Sequence, residues 1–279
     1  VIEADESDRS LLNLSPQIAV LTNAELDHHS TYSSLRDLED TLRTFMARAG
    51  ESAVVWDRPE LLALCPPDAV PYDADPHLFP GGSRFAWRGL QVELTVPGAH
   101  NAVNAAGALT AAALAGADPG QAAAGLTDFS GARRRMELVG QTAEGVPVYD
   151  DYAHHPTEVA TAIAAARTLR PGRAVAVFQP HLYSRTAALA GDFGRALAGA
   201  DLVAVLEVYP ARERPEDFPG VDGRLVAAAA ADAGAGRTVA WVPGFADARR
   251  FLDATLRQGD LLLLMGAGDI DGLARSLVA

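Results

Sequence analysis

From residue 146 onward the chain repeats one pattern five times: a short apolar run, a polar break, then a helical stretch rich in alanine. The runs are VPVYD, AVAVF, LVAVLEV, TVAWV and LLLLM. The helical stretches lie near 157–169, 186–198, 224–233 and 246–257, and IDGLARSLV follows the last run. Runs this short and this apolar read as strands buried on both faces. Strict strand–helix alternation predicts a parallel sheet, because each helix carries the chain back across the sheet to start the next strand. Ligands of such sheets bind at the carboxyl ends of the strands, so the loops after each run are where chemistry is expected.

The first half has a different texture. VIEA and IAVLT (18–22) read as short buried strands, with Glu3 at the end of the first. Residues 35–48 place Leu35, Leu38, Leu42, Phe45 and Met46 at helical spacing. SAVVW and DAVPY are strand candidates, and residues 84–96 alternate around Arg88-Gly89 as a β-hairpin does. HNAVNAAGALTAAALAGA reads as a long helix ended by glycine, with a shorter one from Pro119. TDFSGAR, residues 127–133, reads as the linker and as a hinge.

Length and composition bound the function. The 279 residues suit two domains, and 49% hydrophobic content supplies a sizeable core. No run of apolar residues is long enough to span a membrane, and VIEADESDRS is acidic where a secretory signal is basic and then apolar. A cytoplasmic protein with no membrane insertion is expected. The single cysteine, Cys65, excludes a disulfide framework and a cysteine-rich zinc site. A net charge of −13 argues against a nucleic-acid partner. All 23 basic residues are arginine, so no lysine is available.

The polar chemistry is concentrated. DDYAHHPTEV, residues 150–159, packs five titratable groups into six positions at a strand-to-helix corner. Capping of the helix by Asp or His is the plain alternative. Six of the seven histidines fall at four places: His28-His29, His100, His154-His155 and His181. Only His77 stands apart, in a proline-rich loop with no expected role. In LTNAELDHHSTY, the residues Asn23, Glu25, Asp27 and His28 follow a strand, and with Glu3 they suggest a hard divalent cation. A histidine ligand on its own points instead to zinc or manganese. FQPHLYSRT follows the run AVAVF and should project His181 and Arg185 near Tyr152 and His154. Arginine suits phosphate or carboxylate oxygens. GAHNAVNAA opens a helix with His100, Asn101 and Asn104, any of which could read a base edge or serve as a cap. GAGDIDG, residues 266–272, departs from G-x-G-x-x-G and reads as a tight turn into a helix with a supporting role.

Together, EADESD, TNAELDHHSTY, PGAHNAVNAA, GARRRME, DDYAHHPTEV, FQPHLYSRT, LEVYPARE and GAGDI resemble the Mur ligases, in the order in which that family carries them and across nearly the whole chain. The FQPH-type segment points within the family to the branch that adds L-alanine to UDP-N-acetylmuramate. The resemblance implies an α/β chain in two parts. Residues 1–130 would be a remnant of a P-loop-type ATPase domain, the central domain of the family. Residues 131–279 would be a C-terminal Rossmann-like parallel-sheet domain. The P-loop lysine of G-x-x-G-K-[ST] cannot be in a chain without lysine, so a fragment, inactive alone, is expected.

The implied chemistry is ATP-dependent amide formation through an acyl phosphate, with ATP and Mg²⁺ as cofactors and UDP-N-acetylmuramate and L-alanine as substrates. By the resemblance, Glu3 and His28 hold Mg²⁺, and His100, Asn101 and Asn104 contact adenine. Arg134 and Arg135 reach the ATP phosphates, and Asp151 lies by the ribose or the substrate. Tyr152, His154, His155, His181 and Arg185 hold the muramoyl group and the incoming alanine. Among these, His28, Arg135, His154, His181 and Arg185 are the expected catalytic set. Leu182 stands where some members have a substrate-binding arginine, and Met136 where a phenylalanine often follows the paired arginines. A monomer or homodimer is expected. The competing readings are a tripeptide-recycling muramate ligase, a non-catalytic nucleotide-binding module, and a zinc hydrolase built on the histidines.

Overall fold

The computed structural model describes residues 1–28 and 31–278. The chain divides into two compact units. The first comprises Val1–Leu78, Gly82–Thr95 and Ala99–Phe129, and the second Phe79–Gly81, Val96–Gly98 and Ser130–Ala279.

In the first unit, β1 (Ile18–Leu21) is followed by α1 (Leu35–Met46), β2 (Ser52–Trp56), α2 (Pro59–Leu62) and β3 (Val70–Tyr72). The three strands form a parallel sheet in the order β1-β2-β3. The Ser34 side chain accepts a hydrogen bond from the Asp37 amide and so caps α1. That helix buries Leu38, Leu42, Phe45 and Met46, whereas Leu35 remains 43% exposed. A second sheet runs β4-β5-β6 through β4 (His77–Phe79), β5 (Gly82–Trp87) and β6 (Leu90–Leu94). Arg88 and Gly89 turn the β5–β6 hairpin with φ of 48° and 80°, as a two-residue turn with both central residues left-handed requires. α3 (Ala99–Leu114) and α4 (Pro119–Gly125) complete the unit. α3 packs so closely that a Cβ on Gly107 would stand 2.7 Å from the Tyr72 ring, and Trp87 Nε1 donates to Thr110 Oγ1 at 3.1 Å.

Two expectations fail in this half. VIEA is not a strand: residues 1–6 pair with nothing in the β1-β2-β3 sheet, and Ile2 is 76% exposed. An extended apolar segment without a hydrogen-bonded neighbour has no ladder to join. His77, expected in a loop, begins β4.

The second unit is a doubly wound sheet. Its elements are β7 (Glu137–Gln141), β8 (Pro147–Asp151), α5 (Pro156–Thr168), β9 (Arg173–Phe178), α6 (Tyr183–Leu197), β10 (Leu202–Val205), α7 (Gly223–Ala233), β11 (Thr238–Trp241), α8 (Phe245–Thr255), β12 (Asp260–Met265) and α9 (Ile270–Leu277). The strand order is β11-β10-β9-β12-β8-β7, parallel except for β7, which pairs antiparallel with β8. From β8 the chain moves in one direction through β9 and β10 to β11, and then returns to place β12 between β9 and β8. Right-handed crossovers therefore put α5, α6 and α7 on one face and α8 and α9 on the other.

The core obeys that arithmetic. Leu261, Leu263 and Met265 of β12 pack with Val159, Ile163, Phe193, Leu197 and Val226. Leu262 and Leu264 pack on the opposite face with Leu252, Ile270, Leu273 and Leu277. Each such leucine contributes about 1.5–3 kcal/mol by burial. VPVYD is not the first strand of this unit, since β7 precedes it. The segment ELVGQ gives little apolar signal because an edge strand with Leu138 56% exposed and a register shift between Leu138 and Gly140 has one face in water. Among the described residues, no helix is long and apolar enough to cross a membrane.

Candidate active site

β12 makes the binding corner. The chain leaves β9 and β8 for helices on one face and leaves β12 for a helix on the other, so the loops diverge at the carboxyl ends of these neighbours. A crevice at that divergence is the usual ligand site of such sheets. The three loops concerned are 152–155 after β8, 179–182 after β9 and 266–269 after β12.

Arg134 ties the corner together. Its Nε donates to Asp150 Oδ2 at 3.1 Å, and its two terminal nitrogens donate to the carbonyls of Gly266 at 2.6 Å and Gly268 at 3.2 Å. Asp150 is 1% exposed, and burial pushes its carboxyl above the usual range against the pull of Arg134. Asp151 is spent on the backbone as well: Met136 N donates to Oδ2 and Ala153 N to Oδ1, both at 2.8 Å. Burial, opposed by those two amides, pushes its carboxyl up to about 6. Arg134 and Asp151, expected at ATP, are thus engaged inside the fold. The loop GAGD, given only a supporting role in the sequence reading, is the segment Arg134 holds.

The remaining residues of the corner are layered over this base. Tyr152, 36% exposed, has the guanidinium carbons of Arg134 and Arg135 at 4.9 and 5.7 Å from its ring centroid. Arg135 NH1 lies 3.5 Å from Glu158 Oε1. His155 is the N-cap of α5, with Thr157 N donating to its Nδ1 at 3.4 Å and Glu158 completing a capping box. His154 Nδ1 lies 2.9 Å from the Tyr152 carbonyl and 3.2 Å from Glu158 Oε2. Its ring stands edge-on to Tyr152 at 5.3 Å and to His181 at 6.1 Å.

From the β9 side, His181 stacks on Tyr209 at 5.7 Å and forms an isolated bridge with it. Arg185, 4% exposed, reaches back from the first turn of α6 to His181 Nδ1 at 3.1 Å. α6 starts three residues earlier than its apolar spacing implied, because Leu182 turns with φ 70° while its amide donates to the Tyr209 carbonyl. Gln179 Nε2 donates to Asp269 Oδ1 at 2.8 Å, joining the β9 loop to the β12 loop. A Cβ on Gly268 would stand 2.5 Å from Gln179 Oε1 and 2.6 Å from the Tyr209 ring, so the approach tolerates no side chain.

In the first unit, His28 Nε2 lies 3.2 Å from Glu6 Oε1 and 3.8 Å from Asp27 Oδ2. The hydrogen bond from His28 holds the Glu6 carboxyl below its usual range. Tyr32 Oη and Thr31 Oγ1 donate to the Glu6 and Ser7 carbonyls at 2.6 Å, and one terminal nitrogen of Arg9 donates to both carboxylate oxygens of Asp37 at 2.8 Å. Glu3 is exposed, and Glu6 is the acid beside His28. His29 lies outside the described residues. Among those described, no group of three or more His, Cys, Asp or Glu side chains is arranged to hold a metal. The donor set does not by itself fit a magnesium site. His100, Asn101 and Asn104 lie in the first turns of α3, with His100 and Asn104 neighbours at i,i+4.

Glu6, Glu158, Gln179 and Tyr209 were passed over in the sequence. Only Glu158 carried a signal, as the Glu three residues after a helix-capping position.

The chain is similar to the Mur ligases: residues 134–268 match the family description "Mur ligase, glutamate ligase domain". Its similarity is to one branch in particular. The whole chain is 41% identical to UDP-N-acetylmuramate--L-alanine ligase of Chlorobaculum tepidum, spanning 63% of that protein, and 41% identical to the same-named protein of Mycobacterium sp. (strain JLS), spanning 62%. The chain therefore covers less than two thirds of the length of these relatives. Among solved structures, UDP-N-acetylmuramate-alanine ligase of Thermotoga maritima matches with a TM-score of 0.78 at 24% identity, over 99% of this chain and 62% of that one. MurF ligase of the same organism, solved in complex with ADP, matches with a TM-score of 0.66 at 18% identity, over 96% and 61%. At these identities the two structures establish the fold.

Proposed function

We propose that this chain is the larger part of an ATP-dependent ligase that joins L-alanine to UDP-N-acetylmuramate in peptidoglycan synthesis. The observation that carries the reading is 41% identity along the full chain to relatives bearing that name. In this reading residues 1–130 belong to an ATP-binding domain and residues 131–279 to the domain that receives the amino acid. ATP phosphorylates the muramate carboxylate, the alanine amine attacks the acyl phosphate, and phosphate leaves. Protein groups act mainly by positioning and by meeting developing charge.

His100, Asn101 and Asn104 would hold adenine at the start of α3. Glu3 and His28, the expected magnesium ligands, belong to no three-residue metal-binding group among the described residues, and no metal role is assigned to them. Arg135, whose side chain is 52% exposed, is the better placed of the paired arginines to meet phosphate, while Arg134 and Asp151 fix the corner behind it. Tyr152, His154, His155, His181 and Arg185 would receive the acyl group and the amino acid. A cytoplasmic enzyme acting as monomer or homodimer fits this role.

The test is ADP release by the full-length protein given ATP, Mg²⁺, UDP-N-acetylmuramate and L-alanine, each omitted in turn. Release that needs all four is expected, with the 279-residue chain silent in parallel because it has no phosphate-cradling lysine. Preference for a tripeptide over alanine would move the protein to the recycling branch. Nucleotide binding without release under any combination would identify a binding module.

A further inference from the structure

Where the chain enters β7, two residues with side chains occupy a region of backbone space that glycine normally fills. Arg134 has φ 55° and Met136 has φ 48°, and Arg135 between them does not share that sign. A left-handed φ brings Cβ against the following carbonyl, so two such residues in three positions persist only where their surroundings fix them. A segment that needed only to turn into β7 could use glycine. This chain does so on either side, at Gly131 (φ 102°) and Gly140 (φ 158°).

The fixing groups are in place. Arg134 N donates to Glu137 Oε2 and Met136 N to Asp151 Oδ2, both at 2.8 Å, while Arg135 N donates to the Ala132 carbonyl at 3.2 Å. The Arg134 carbonyl accepts from Tyr152 N at 2.7 Å. Three successive amides thus have acceptors, and two of these are carboxylates, which make the stronger bonds. The flanking side chains turn inward. Asp150 and the carbonyls of Gly266 and Gly268 hold the Arg134 guanidinium, and Met136 is buried in the core cluster of Val159, Ile163 and Met265. Only the middle residue turns outward: Arg135 is exposed beside the Tyr152 ring, 3.5 Å from Glu158 Oε1.

We propose that residues 134–136 form a strained hook that aims Arg135, and that Glu137, through its carboxylate on the Arg134 amide, is a positioning residue for that guanidinium. Without an acceptor at 137 the Arg134 amide loses its partner, and the left-handed φ at Arg134 loses one of the bonds that offset it. The segment then relaxes toward an ordinary φ. Rotation at residue 134 swings Arg135 first, because it is the next residue and the one side chain of the three not held in the interior. A guanidinium that must meet an anion tolerates little of this, since a displacement of about 1 Å costs about 10²-fold in rate. That the anion is an ATP phosphate rests on the ligase reading; that Glu137 sets the hook does not.

The hook is read first without substrate, by amide hydrogen exchange in the chain labelled with ¹⁵N-methionine. Its three methionines are Met46 in α1, Met265 in β12 and Met136 in the hook. Glu137→Ala is expected to speed exchange at Met136 by about 10-fold, the scale of one lost hydrogen bond, and to leave Met46 and Met265 unchanged. Glu137→Gln keeps an oxygen acceptor and is expected to leave all three near the parent rates. An unchanged Met136 rate in Glu137→Ala, or equal acceleration at all three methionines, would overturn the proposal. The second reading is kinetic, in the full-length protein. Arg135→Met is expected to lower kcat/KM for ATP by about 10²–10³-fold, and Glu137→Ala by up to about 10²-fold. In the double variant Glu137→Ala should add nothing, because its effect passes through a guanidinium already removed. Losses that multiply would make Glu137 an ordinary structural residue and sink its positioning role. A full-length protein that releases no ADP would sink the ligase reading alone, and the Met136 exchange would still decide the hook.

Discussion

Two corners of this chain combine acids with histidine, and they are built to different depths. Around His28, the ring meets Glu6, 42% exposed, and Asp27, on a stretch that belongs to no strand. Around His154, every charged group rests on the carboxyl edge of a six-stranded sheet, with Asp150 and Asp151 buried beneath. In water, an ion pair gains little because solvent competes for both partners. Under a sheet edge the same pair has no such alternative, and breaking it leaves a charge stranded. The second corner is therefore rigid through its base, and the first is organised mainly by neutral hydrogen bonds from Tyr32 and Thr31 to backbone carbonyls.

The largest effect should come from that base. Arg134→Met removes three hydrogen bonds and leaves Asp150 buried without its cation. A loss of about 3–5 kcal/mol in the second unit is expected from urea unfolding at neutral pH. The loss should shrink at about pH 5, because burial already raises the Asp150 carboxyl and the variant can protonate it. A pH-independent loss below about 1 kcal/mol would mean that water reaches Asp150, and the contrast between the corners would collapse.

Asp151 sharpens the same point through pH. Burial lifts its carboxyl from 3.8 to about 6. A group with a raised folded value contributes stability that is fully present below the unfolded value and is lost as pH rises through the folded one. Relative to Asp151→Asn, which does not titrate, the protein should lose stability between about pH 4 and pH 6.5. At about 1.4 kcal/mol per unit the loss approaches ~3 kcal/mol. Asp37 and Asp201, both held low by arginines, carry the opposite slope and act below this window. A flat difference would show that the two backbone amides fully offset the burial.

How much of this was legible follows from what each residue has as a neighbour in sequence. The β8–α5 corner was readable because DDYAHHPTE places strand end, cap and helix start within one local segment. The buried strands announced themselves by composition, as β12 does with four consecutive leucines. Beyond the approach of His181 to His154, which the sheet rule supplied, partnerships across the fold were not readable. Arg134 reaches Gly266 and Gly268 over more than a hundred residues, and Tyr209 reaches His181 from another loop; nothing local encodes either. VIEA misled for the converse reason, since its composition is that of a strand while its pairing depends on a neighbour elsewhere. The hydrogen bonds of Arg134 and Asp151 within the fold were not legible, because polar residues at a sheet edge look alike in sequence whether they face a ligand or brace the loop.

His155 separates local from tertiary support. Its ring caps α5, so His155→Ala should cost about 1 kcal/mol, and His155→Asn should restore most of it. Thermal unfolding of the two variants decides this. If asparagine restores stability but full-length ligation stays low, His155 also touches substrate; if both return together, capping is its whole contribution.

The smallest effect belongs to the first corner and completes the contrast. Glu6→Gln leaves the Glu6 carbonyl still accepting from Tyr32 Oη and removes only the charge facing His28. Because Glu6 is 42% exposed, the cost should stay within about 0.2–1 kcal/mol and fall further in high salt. The measurement is the urea midpoint of the first unit at low and high ionic strength. A salt-insensitive loss of several kcal/mol would mean that Glu6 and His28 form a shielded pair, as tightly built as Arg134 and Asp150. A loss near zero would place the holding force of that loop in Tyr32, Thr31 and the Arg9–Asp37 pair, and would leave His28 to be judged by its chemistry alone.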